Sequence, residues 1–138
     1  MTDLPYEPGS FRDRTARVFY YNGSVFRRLN QHAWHEWERL LSTSFFSRAV
    51  AEGKIVATEQ ADPSELPKLE ENFGQRVLKH ETIPFVSYPY EWPFGMLKDA
   101  ALLQLELLAS SIEEGMILKD SSSFNVQWVG TRPIFIDI

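Results

Sequence analysis

The run GMILKDSSSFNVQW, residues 115–128, followed by RPIFIDI at 132–138, decides how this chain is read. Asp120 stands five positions before Asn125, and a second acid, Asp137, closes an apolar run. Two accounts fit that order. Phosphoryl transfer needs an acid to orient a hydroxyl nucleophile and oxygen ligands to hold magnesium against the phosphates. Asp120 would orient, while Asn125 and Asp137 would hold the metal. The alternative is a polar loop between two strands, because Asp and Asn side chains often satisfy nearby backbone groups. NVQW (125–128) and PIFIDI (133–138) read as a hairpin around Gly130, which would return Asp137 toward Asn125.

Upstream of that run, residues 95–114 carry the strongest helical signal. Leu97, Ala101, Leu105, Leu108 and Ile112 follow steps of four and three, and Met96, Ala100, Leu103 and Leu107 form a second stripe. So wide an apolar face predicts a helix buried on most sides. Pro84, Pro89 and Pro93 frame a stiff connector, YPYEWP (88–93), that cannot be helical throughout. QRVLKHET (75–82) and PFVSY (84–88) read as short extended segments.

Nearer the N-terminus, ARVFYYNGSVFRRL (16–29) is two β-rich runs joined by Asn22-Gly23, a hairpin signal because both residues tolerate positive φ. From Gln31 to about Ala51 the pattern is helical, with Trp34, Trp37, Leu40 and Leu41 on one face. Gly53 stops it, KIVATE (54–59) reads as a strand, and ADPSELPKLEENF (61–73) as a turn and short helix. Together these elements predict an α+β fold.

At 138 residues, 43% hydrophobic and 14% aromatic, the chain has enough material for a packed core. The absence of cysteine excludes disulfides and thiolate metal sites. Charges interrupt every apolar stretch before membrane length, and MTDLPYEPGSFRD at the N-terminus lacks the order of a signal peptide. A cytoplasmic location is expected. Residues 1–50 hold seven Arg against five acids, whereas 51–138 hold seven basic against fourteen acidic residues. An acidic half argues against broad nucleic-acid binding, which needs a basic face for phosphates. The Arg cluster (Arg12, Arg14, Arg17, Arg27, Arg28) would suit one anionic small molecule, or simply a solvated face. His32, His35 and Glu36 lie within one helical turn but without the HExxH spacing of zinc sites, so an amphipathic helix is the better account. Glu36 or Glu38 could pair with Arg27 or Arg28, or simply be solvated, as most surface charges are. His80 carries no readable signal.

LLQLELLASSIEEGMILKDSSSFN (102–125) resembles the buried helix and catalytic loop of the protein-kinase-like superfamily, where an Asp precedes an Asn by five residues and a metal-binding Asp follows a short hairpin. On that resemblance the chain is a single domain: 1–87 a small-lobe-like sheet with helices, 88–93 a hinge-like connector, 94–138 a buried helix and terminal hairpin. It implies ATP and Mg as cofactors, Asp120 as catalytic residue, Asn125 and Asp137 as metal ligands, and Arg27, Arg28 and Glu91 as cofactor contacts. The chain departs from the pattern in three places. Leu118 and Lys119 replace the usual His and Arg, no GxGxxG appears, and Arg27 and Arg28 stand where a Lys is expected. Arg forks where Lys is a point charge.

A second resemblance covers nearly the whole chain. PGSFRDRTARVF (8–19), IPFVSYPYEWPFGMLKDAALLQLELL (83–108), GMILKDSSSFNVQW and RPIFIDI resemble the N-terminal region of a bacterial family of SAM-dependent methyltransferase or nodulation-related proteins. It implies a ligand-binding or docking module, with a methyltransferase domain downstream as partner and the SAM site in that domain. No Gly-rich strand-to-helix turn for SAM occurs in this chain. The apolar end of the chain, an unprotected strand, agrees with an N-terminal piece of a longer polypeptide. The readings carried forward are such a module, an ATP/Mg-dependent phosphotransferase fragment, and a structural interaction module.

Overall fold

The computed structural model describes residues 6–67 and 76–138 and divides the chain into two compact units, 1–38 with 57–82 and 39–56 with 83–138. The architecture is α+β.

The first unit is built on a hairpin. Strands β1 (Ala16–Tyr21) and β2 (Ser24–Leu29) pair in antiparallel register from Ala16↔Leu29 to Tyr21↔Ser24. The turn between them needs two positive φ angles, and Asn22 (48°) and Gly23 (78°) supply them. β4 (Val77–His80) inserts between β2 and β3 (Thr58–Gln60), giving the order β1-β2-β4-β3. Strand alternation fixes the two faces. On one, Phe19 and Phe26, opposite each other in register, stack at 5.4 Å over Val77, Ala61 and Leu66. Tyr6 closes that core edge-on to Phe19, with the Arg17 guanidinium 5.1 Å from the Tyr6 ring centre. The expected turn after Ala61 is a short 3-10 segment, Pro63–Glu65, capped by the Asp62 carboxylate accepting from Ser64 N–H. The helix expected beyond it lies, from residue 68 to 73, outside the described residues.

The helix expected from 31 to 51 is two. Helix α1 (Gln31–Leu41) starts at Asn30, whose side-chain oxygen accepts from Ala33 N–H, and α2 (Ser44–Ala51) starts at Thr43, whose hydroxyl accepts from Phe46 N–H. The break has a local cause: the Ser42 and Thr43 hydroxyls donate to the Arg39 and Leu40 carbonyls, competing with the helix for its own backbone. KIVATE is likewise split. Lys54 to Val56 hydrogen-bond with Phe135 in the second unit, and only at Thr58 does β3 begin in the first.

In the second unit α3 (Phe94–Glu113) packs on α2 and on the hairpin β5 (Val126–Val129) and β6 (Arg132–Phe135). Gly115, at φ 73°, ends the helix: its N–H reaches the Ile112 carbonyl and Met116 N–H the Ser111 carbonyl. Ala100, Leu103, Leu107 and Ser111 are buried with Val126, Ile134, Phe135, Phe45, Phe46 and Ala49. The expectation that α3 is buried on most sides fails. The stripe containing Leu97, Leu105 and Ile112 is exposed, because the unit's other elements cover only one flank. PFVSY forms no strand. It is held instead by Gln127, buried on β5, whose amide accepts from Ser87 N–H and donates to Ser87 C=O, both at 3.0 Å. Trp92 Nε1 donates to Ser87 Oγ and its ring meets Trp128 edge-on.

Candidate functional site

The loop from Gly115 to Asn125 hangs between the end of α3 and the start of β5. Three contacts give it shape. Gln104 on α3 donates from Nε2 to the Ser122 carbonyl at 2.9 Å, Ser122 Oγ caps the 3-10 turn Ser123–Asn125, and the Arg39 guanidinium donates to the Gly115 carbonyl. Within this frame Asp120 and Asn125 meet. The Asn125 amide donates to the Asp120 backbone carbonyl at 3.2 Å, and Asp120 Oδ1 accepts from Ser122 N–H at 2.8 Å. Ile136 N–H donates to the Asn125 carbonyl at 2.9 Å, so the strand leaving β6 runs beside Asn125 and Asp137 is the next residue.

The loop therefore brings two of the expected residues together and carries the third to the open end of the same hairpin. Asp120 is exposed, while Asn125 and Asp137 are half-buried. Asp120 uses one carboxylate oxygen to close its own turn, which is what a polar loop requires. Among the described residues no three His, Cys, Asp or Glu side chains gather as a metal cluster.

The remaining expected residues divide between the two units. Arg27 and Arg28 are successive on β2, so they project to opposite faces of the sheet and cannot grip one ligand side by side. Glu91 sits in the second unit, where its carboxylate accepts from Tyr88 N–H at 2.8 Å across the turn Pro89–Glu91. Glu38 spends both oxygens on its own helix, accepting from Trp34 Nε1 at 2.9 Å and lying 3.2 Å from His35 Nδ1.

One residue without a sequence signal stands out in the first unit. His80 shares the Arg27 face of the sheet, since β2 and β4 pair Val25↔His80 and Arg27↔Leu78. It is 7% exposed, its Nδ1 is 2.9 Å from Thr58 Oγ1, and its Nε2 has no partner among the described residues. Burial, and then the charge of Arg27, push its pKa down to about 3. The ring is neutral at ordinary pH. Register parity with Arg27 was the one signal that could have found it, and that needs the pairing of β2 with β4. A separate cleft lined by Arg48, Glu52, Lys54, Glu106 and Ser110 has a volume near 130 Å³, below the range of cofactor pockets (roughly 300–1,000 Å³). Its charges are already matched, with Lys54 at 2.6 Å from Glu52 and 2.5 Å from Glu106.

No protein-family model matches the chain, and no solved structure does. Over 132 residues it is 38% identical to Nodulation protein NoeA of Rhizobium meliloti (strain 1021). That match takes in 94% of this chain but 26% of the relative, so the chain spans about a quarter of the length of the curated protein it matches. Nearly all of this sequence is thus similar to one part of a much longer nodulation protein.

Proposed function

We propose that this chain is one module of a longer nodulation-protein-like polypeptide, in which it docks against the remainder and holds no SAM site of its own. The coverage carries this reading: 94% of the chain corresponds to about a quarter of the relative. Methyl transfer, in a SAM-dependent parent, belongs to sequence outside this segment. The seven glycines support that division, since no two lie within ten residues of each other and none can build a Gly-rich phosphate turn. Isothermal calorimetry of residues 1–138 with SAM tests it. No heat of binding is expected, and micromolar binding to this chain alone would overturn the assignment.

A second reading, an ATP/Mg-dependent kinase-like phosphotransferase fragment, draws on a specific observation: the Asn125 amide turned to the Asp120 carbonyl, with Asp137 following the residue paired to Asn125. In such a site Asn125 and Asp137 would hold the magnesium through their side-chain oxygens, Asp120 would orient the nucleophile, and the metal would neutralise phosphate charge. A thermal-shift titration with ATP, with and without magnesium, tests this reading. Stabilisation by ATP only when magnesium is present supports it, and no shift in either condition removes it.

A further inference from the structure

Helix α3 has two apolar faces. Ala100, Leu103 and Leu107 are buried inside the second unit, whereas Phe94 is 80% exposed, Leu105 63%, Ile112 57% and Leu102 53%. At 100° per residue these exposed residues, with Leu97 and Ala101, make one continuous stripe along the helix, and Lys98 is the one charge inside it. Single exposed leucines are ordinary on protein surfaces, but a contiguous stripe several turns long marks an interaction surface. Its inner spacing, from Ala101 through Leu105 and Leu108 to Ile112, alternates four and three, the seam into which a second helix packs.

We infer that this stripe seats an apolar-faced helix from the part of the polypeptide that, in proteins of the relative's length, lies outside the matched quarter. The inference rests on the module reading and adds the surface and its occupant. About three quarters of the relative is unmatched, which is ample sequence to supply the helix. Charge disfavours a second copy as occupant. Asp99 and Glu113, both exposed, flank the stripe on one margin, so two copies packed antiparallel would set Glu113 against Asp99. The helix that fits carries basic residues beside its apolar stripe, because opposite charges at such margins select partner and orientation.

The chain contains no cysteine, so Leu105→Cys gives it a single thiol, with Thr131→Cys in the exposed β5–β6 turn as a control. Maleimide labelling of each site is followed by mass spectrometry in residues 1–138 alone. It is then repeated in NoeA carrying residues 1–138 in place of its matched segment. Fast labelling of residue 105 in the chain alone, slowed at least tenfold in the longer protein with residue 131 unchanged, is the expected result. Equal rates in a longer protein that unfolds as one cooperative unit would overturn this surface and leave the module reading standing. Slow, concentration-dependent labelling in the chain alone would overturn it in favour of a second copy. A longer protein that melts as two independent units would sink the module reading as well. Hydrogen exchange of the aligned helix in intact NoeA, compared with its excised matched segment, makes the same comparison without a chimera. Equal protection in the two forms overturns the inference.

Discussion

The first unit keeps its core phenylalanines inside. Phe19 and Phe26 are almost fully buried, and among the described residues Tyr20 is the one large hydrophobic it exposes. The second unit exposes thirteen, from Leu41 and Phe85 through the outer stripe of α3 to Ile117, Phe124 and Val129. Both obey the same rule of burying apolar area at roughly 25 cal/mol per Å², yet the second has more apolar surface than its own elements can cover. One unit holds a sheet whose Phe19–Phe26 face is closed over its own core. The other holds a helix and hairpin with one side buried and one side exposed.

That contrast yields its largest test in a pair of substitutions made in residues 1–138. Phe26→Ala empties a fully enclosed site against Phe19 and Val77 and is expected to cost about 3–5 kcal/mol by urea unfolding. Leu105→Ala, on the open stripe, is expected to stay within about 0.5 kcal/mol. If Leu105→Ala cost as much as Phe26→Ala, the stripe would already be covered in this chain and the contrast would break.

The next effect belongs to the first unit and to pH. His80 is buried neutral with a folded pKa of about 3 against 6.5 when exposed, so the unfolded chain binds the proton more readily. The stability it protects is fully present above pH 6.5 and is lost as pH falls from 6.5 toward 3. At about 1.4 kcal/mol per pH unit the loss between pH 7 and pH 5 is roughly 2 kcal/mol. Urea unfolding at pH 7, 6 and 5 measures it, and His80→Gln should flatten the slope. An unchanged slope in that variant would place the titration elsewhere.

A smaller effect, of about 1–2 kcal/mol, is expected from Gln127→Leu in the second unit. The buried amide satisfies both backbone groups of Ser87, and leucine satisfies neither. Trp92 fluorescence should report the release of the connector, because the Trp92 indole is bonded to the same Ser87. A variant as stable as the parent, with unchanged emission, would mean that water replaces the amide.

What the sequence disclosed follows the reach of each signal. Asn22-Gly23 and the β5–β6 hairpin were legible because a two-residue turn is decided by its own residues, and α3 was legible from 20 residues of helical period. The break at Thr43 was missed because the apolar period continues across it, while the hydroxyls that end α1 act within one turn. Lys54–Glu59 was read as one strand because alternation states that a run is extended and does not name its partner; here the partner changes at Ala57. The two stripes of α3 were visible, but hydrophobicity alone does not tell a face buried here from one left for another surface. For the site, Asp120 and Asn125 were legible as a loop pair by spacing, while the placement of Arg27 and Arg28 on opposite faces of the sheet follows once both are known to lie on β2.

The smallest expected effect lies in that loop and bears on why the second unit contains it. Asn125→Ala removes the donor to the Asp120 carbonyl, a bond at 3.2 Å in an exposed loop where water can take its place. A cost of about 0.5–1 kcal/mol is expected, and Asp120→Asn, which keeps an oxygen to accept from Ser122 N–H, should cost less. The backbone bond from Ile136 to the Asn125 carbonyl survives both changes, so the hairpin should keep its circular dichroism. Stability alone therefore does not separate a polar loop from a phosphate-and-metal site, and the ligand must be added. If Asn125 holds magnesium for a nucleotide, ATP with magnesium should raise the melting temperature of the parent chain and fail to raise that of Asn125→Ala. If Asp120 and Asn125 serve only to close the turn, ATP with magnesium should leave both proteins where they were. An equal rise in both would place the nucleotide away from this loop and remove Asn125 as a ligand.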